Sequence, residues 1–129
     1  MSDAHTGLYL RTAAPWTVLR DALAAAYGIP RTAVVLFDEA DDSIVRVDMV
    51  DHDEGCKQQV DLYLDLTRVR GVAIVRLAAH VAAATGCDVV YDDESTKDPF
   101  EWALVDAAGA TRRVTQSIED LDGLVLNEP

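Results

Sequence analysis

Basic residues are scarce in this 129-residue chain: 11 Lys and Arg stand against 23 Asp and Glu, a formal net charge of −12. Proteins that bind polyanions replace condensed counterions with Lys and Arg, so this deficit argues against nucleic acid and anionic membranes as partners. No stretch approaches the 18 apolar residues of a membrane span, and Met1 to His5 lacks a basic segment followed by an apolar run. The expected compartment is the cytoplasm. Cysteine is limited to Cys56 and Cys87, which in a cytoplasmic chain read as free thiols, Cys87 opening an apolar strand. Lys is rarer than Arg, two against nine, and Ala is abundant, a composition typical of a GC-rich bacterial genome.

Catalytic and metal motifs are missing as well. Asp51, His52, Asp53 and Glu54 crowd together, but Gly55 takes loop position 5, where a calcium loop needs an oxygen ligand. The sequence has no C-x-x-C and no H-E-x-x-H, and its three His residues lie far apart. No Ser sits in G-x-S-x-G or S-x-x-K, no Gly-rich phosphate loop is present, and Cys56 has no positioned base. His80, off the buried stripe of its helix and near Arg76, reads as a surface residue. The expectation is a protein that is not an enzyme and has neither metal nor cofactor.

What is present is half apolar, 50% of residues, enough for one self-sufficient core at this length. Gly7 to Thr12 reads as a strand with Leu8 and Leu10 on one face. Pro15 suits the first position of a helix whose stripe is Trp16, Leu19, Leu23 and Ala26 and whose end is marked by Gly28 and Pro30. A short strand, Ala33 to Phe37, leads through Asp38, Glu39, Ala40, Asp41 and Asp42 to an alternating strand. There Val45, Val47 and Met49 face inward, Arg46 and Asp48 outward. The next strand turns Val60, Leu62, Leu64 and Leu66 inward and Asp61, Tyr63 and Asp65 outward. Thr67 is the expected N-cap of a second helix with Ile74, Leu77, Ala78 and Val81 buried and Gly86 at its end. Strands follow over Cys87–Tyr91, Phe100–Asp106 and Thr111–Thr115. Trp16, Trp102 and Phe100 read as core, the last two sharing a strand face with Leu104.

The halves resemble each other. Leu8-Tyr9-Leu10 recurs as Leu62-Tyr63-Leu64, and Ala24-Ala25-Ala26-Tyr27-Gly28 as Ala82-Ala83-Ala84-Thr85-Gly86. At an offset of 55, Val34-Val35, Asp38-Glu39 and Val50-Asp51 fall on Val89-Val90, Asp93-Glu94 and Val105-Asp106. The order of these matches favours duplication over shared composition. The expected fold is α+β: one domain over 1–129 with tandem βαββ(β) repeats at 7–56 and 57–116, and two helices packed on a mostly antiparallel sheet.

The remaining signal is acidic. Asp38, Glu39, Asp41 and Asp42 form one cluster, Asp51, Asp53 and Glu54 a second, and Asp92, Asp93 and Glu94 a third. Like charges this close repel one another, a strain that a basic partner relieves, and they speed association with a cationic surface. Tyr63, flanked by Asp61 and Asp65 on the outward face, reads as an interface residue. Together these 13 residues are the expected partner-binding set.

Two families enter by resemblance. The stretch from Asp92 to Leu126, with Asp92-Asp93-Glu94, Asp98-Pro99-Phe100-Glu101-Trp102, Asp106 to Gly109 and Glu119-Asp120-Leu121-Asp122, resembles the C-terminal part of some bacterial toxin-immunity proteins. That resemblance implies stoichiometric inhibition of a basic protein toxin, such as a nuclease, by an acidic surface. The tandem modules and Leu104-Val105-Asp106-Ala107-Ala108-Gly109 are similar to the vicinal-oxygen-chelate group of glyoxalase and antibiotic-resistance proteins. Strands Gly7–Thr12 and Val60–Leu66 carry no His, so that similarity implies a metal-free sequestering protein for a small cationic ligand. The two readings differ in shape: an inhibitor presents carboxylates on an exposed surface, whereas sequestration needs a cleft lined by Trp16, Tyr63 or Trp102. Oligomeric state is left open by the sequence, a homodimer included.

Overall fold

Alternation in the sequence becomes strands whose two faces have different fates. The computed structural model describes residues 3–36, 43–92, 100–117 and 124–127. Its elements are β1 (Asp3–Leu10), α1 (Trp16–Tyr27), a single 3-10 turn (Arg31–Ala33), β2 (Val34–Leu36), β3 (Val45–Asp51), β4 (Gln58–Asp65), α2 (Ile74–Thr85), β5 (Val89–Tyr91), β6 (Glu101–Val105), β7 (Thr111–Gln116) and β8 (Leu126–Asn127). They form one eight-stranded sheet in the order β2-β3-β4-β1-β5-β6-β7-β8. Only β2 and β3 pair in parallel. The fold is α+β, with both helices packed on a mostly antiparallel sheet. No helix among the described residues is long and apolar enough to cross a membrane.

Each helix is bounded by local chemistry. Pro15 stands at the cap of α1, one place earlier than expected, and its carbonyl accepts the Leu19 N–H at 3.0 Å. Gly28 ends α1 with φ of +67°, a left-handed conformation that costs glycine little. The start of α2 differs from expectation. Thr67 does not cap it; the helix begins seven residues later, at Ile74, and no side chain caps its N-terminus. Thr67 belongs instead to a turn organised by Asp65, whose Oδ1 accepts from Thr67 N at 3.0 Å and Thr67 Oγ1 at 2.6 Å. An Asp side chain that satisfies the backbone two residues on favours a turn over a helix start.

The helix-side faces of β1, β3 and β4 supply Leu8, Leu10, Val45, Val47, Val60, Leu62 and Leu64 to the main core, beneath Leu19, Leu23, Leu77 and Val81. At the end of β4 the buried Gln58 clamps the chain entering α1: its Oε1 accepts from Ala14 N at 3.2 Å and its Nε2 donates to Ala14 O at 3.3 Å. Trp16 packs against this core as expected. A second, smaller core lies on the helix-free face, where Cys56, Val90, Leu104, Val114 and Leu124 are buried with Tyr9, Trp102 and Leu126 packed against them. Both cysteines are free thiols and buried.

Several expectations are corrected. Phe100 is not core: it precedes β6 and is 45% exposed. Leu66 lies in the turn after β4, where the alternation has ended, and is 43% exposed. β1 begins earlier than Gly7, because it pairs with β4 from Asp3 to Leu10. The internal two-fold is not confirmed by the sheet. A symmetric duplication would place β2 as it places β5, yet β5 pairs directly with β1, whereas β3 separates β2 from the central pair. β2 and β3 are parallel, whereas β5 and β6 are antiparallel.

Candidate functional site

The helix-free face divides into two regions. Toward β6 and β7 it is covered by the second core; over β3, β4 and β1 it carries polar and aromatic side chains. Registers place these in rows. Arg46 and His5 flank Tyr63, Asp48 and Gly7 flank Asp61, and Val50 and Tyr9 flank Gln59. Residues opposite one another on neighbouring strands share a face with Cβ atoms roughly 5 Å apart.

Asp61 is the hub. Its side chain is 17% exposed, and its Oδ1 lies 3.2 Å from His5 Nε2, while Oδ2 accepts from Gln59 Nε2 at 3.2 Å. Gln59 Oε1 lies 3.0 Å from His52 Nε2. Because the Gln59 amide donates to Asp61, its oxygen faces His52, which must supply a proton at Nε2. The result is a chain from His5 through Asp61 and Gln59 to His52. The His5 ring stacks on Tyr63, with centroids 4.9 Å apart and planes inclined by 27°.

Gly7 makes this arrangement fit, since a Cβ built there would come within 3.0 Å of Asp61 Oδ1. The missing side chain lets the carboxylate lean over β1. On the other side Asp48 is exposed and directly opposite Asp61. Tyr9 closes the patch by meeting Trp102 edge to face at 5.7 Å. Burial, then the charges of Asp61 and Cys56, push its phenol pKa upward.

The expected partner-binding residues scatter around this centre. Asp61 and Tyr63 are in it. Asp65 is not available in the same way: Thr67 holds its carboxyl below the usual range through its side-chain hydrogen bond, followed by Arg68 at 2.8 Å and the Thr67 backbone. Asp51, the last residue of β3 and opposite Gln58, is exposed, as are Asp53 and Glu54 in the loop joining β3 to β4. That loop is anchored: Cys56 N donates to Leu124 O at 2.8 Å and Lys57 Nζ to Asp53 O at 2.7 Å. Asp92 is exposed just past β5, on the far side of β1 from that loop. Asp38, Glu39, Asp41, Asp42, Asp93 and Glu94 lie outside the described residues.

Sequence reasoning did not select His5, His52, Gln59, Gly7 or Asp48. Asp48 was legible as outward-facing, but only strand register shows that it meets Asp61. Among the described residues no group of three or more His, Cys, Asp or Glu side chains is placed to hold a metal ion. Chemically the patch offers carboxylates and stacked rings to a cationic, hydrogen-bond-donating surface. Comparison with protein-family models, curated proteins and solved structures finds no match for this chain.

Proposed function

We propose that this protein is a stoichiometric binder, an immunity-type inhibitor that neutralises a basic protein toxin by covering it with the open face of its sheet. The observation that carries the reading is a cluster on one face of the sheet, where Asp48 stands opposite Asp61 in strand register and exposed His5 stacks on half-buried Tyr63. A Lys or Arg docked there gains charge-assisted hydrogen bonds to the carboxylates, while the stacked rings supply a rigid apolar contact. The net charge of −12 adds long-range attraction for a cationic partner.

Sequestration of a small cationic ligand has less support. Trp16 packs into the helix-side core, whereas Tyr63 belongs to the opposite face, so these rings do not line one cleft.

The test is paired capture from source-organism lysate, with tagged wild-type protein and the variant D48N/D61N/Y63A as baits, eluted by rising salt. A basic protein retained in stoichiometric amount by wild type and lost by the variant supports the reading. Equal retention by both baits, or none by either from lysate shown to contain the basic partner's gene product, overturns it.

A further inference from the structure

The helix layer holds a feature that the docking role does not use. A concavity of about 390 Å³ lies between α1 and α2, lined by Ala25, Ala26, Val72, Arg76, Ala79 and His80. We infer that this groove binds a small carboxylate carrying a short apolar chain, independently of the partner proposed for the sheet.

Its lining is divided between an apolar part, Ala25, Ala26, Val72 and Ala79, and a polar part of similar extent that includes Arg76 and His80. The volume also falls at the lower end of the usual range of roughly 300–1,000 Å³. Ala25, Ala26 and Ala79 give the groove its depth, because larger side chains at these helix positions would fill the space between the axes. Val72 adds apolar wall just before α2 begins.

The two polar groups are both nitrogen donors. Arg76 and His80 are four residues apart on α2 and therefore on one side of that helix. Both are exposed, and neither has a hydrogen-bond or ion-pair partner among the described residues. Asp21, one turn before Ala25 on α1, pairs with Arg20 at 3.1 Å instead. A guanidinium presents two parallel N–H groups to a carboxylate, and the imidazole adds a third donor.

The protein's overall negative charge opposes an approaching anion only weakly at contact. Exposed charges more than a Debye length away, about 10 Å at 0.1 M salt, are largely screened. The Arg76 guanidinium then decides the sign, and the alanine floor takes the chain of the ligand, its burial contributing about 25 cal/mol per Å².

Octanoate is the probe, titrated into the ¹⁵N-labelled protein and followed by amide NMR shifts, with octan-1-ol as the uncharged counterpart. The groove predicts saturable shifts confined to the amides around Ala25, Ala26 and Ala79, at least tenfold weaker binding in R76Q, and no saturable response to octan-1-ol. A79L, which fills the groove without altering charge, abolishes the same shifts; thermal melts establish that both variants fold. Shifts that do not saturate, undiminished affinity in R76Q or A79L, or an equal response to octan-1-ol would overturn the assignment.

Discussion

Two glycines in this protein solve opposite problems. Gly7 leaves room for a side chain, the Asp61 carboxylate, whose flexible end can move aside. Gly55 leaves room for backbone: at φ of +70°, a Cβ there would strike the Leu124 carbonyl. G55A therefore combines a disfavoured conformation with a main-chain clash and is expected to cost about 2 kcal/mol or more, read as a lower urea midpoint. Tyr27 presents the reverse case. Its hydroxyl is buried without a hydrogen-bond partner among the described residues, and burial pushes its pKa up to about 12. An unsatisfied buried hydroxyl costs on the order of 1–3 kcal/mol, so Y27F is expected to leave stability unchanged or raise it by about 1 kcal/mol. The sign of the alkaline linkage follows from the raised pKa: the folded state holds the proton that the unfolded state releases near 10. The corresponding stability is fully present below pH 10 and is lost as pH rises toward about 12. Alkaline unfolding of wild type and Y27F should diverge in that window, and parallel curves would count against the buried hydroxyl.

The elements are held in place by short segments that hydrophobic pattern alone does not reveal. Leu124 covers the helix-free face and meets the loop at Cys56, which is only 2% exposed. L124A is expected to cost about 2 kcal/mol or more through the cavity it leaves. In a C87S background it should also turn Cys56 from slow to fast reaction with a thiol reagent; unchanged kinetics would show that Leu124 is not the cover. The Asp65 turn titrates in acid. Its depressed carboxyl contributes stability present above the ordinary Asp pKa and lost as pH falls through its lowered value, so D65N should flatten the acid limb of the stability curve. These features also show where the sequence stops being legible. The alternation of β3 and β4 and the glycine ends of α1 and α2 were readable because period and terminators are local. The start of α2 was not, because Asp65 captures Thr67 in a turn that competes with the helix cap. Phe100 was misread because β6 begins one residue after it, and alternation does not mark where pairing starts.

In the whole molecule, two helices cover one face of a single sheet, and among the described residues no helix covers the opposite side of β3, β4 and β1. The outward residues of β4 were visible in the sequence, but the site they build was not. His5 and Asp61 are 56 residues apart and meet only through the β1–β4 register, and Asp48 meets Asp61 only through β3–β4. The repeated sequence order likewise did not foretell strand order, since a βαββ string does not specify which strand lies next to the centre. The proposed binding surface is this face of β3, β4 and β1. The most direct test is calorimetric titration of the captured basic partner against wild type, D48N/D61N and, as a charge-altered control on the helix layer, R76Q, each at low and high salt. If this face binds the partner, D48N/D61N loses at least tenfold in affinity and shows a shallower salt dependence, with R76Q indistinguishable from wild type. Equal affinity and equal salt dependence for wild type and D48N/D61N would contradict it.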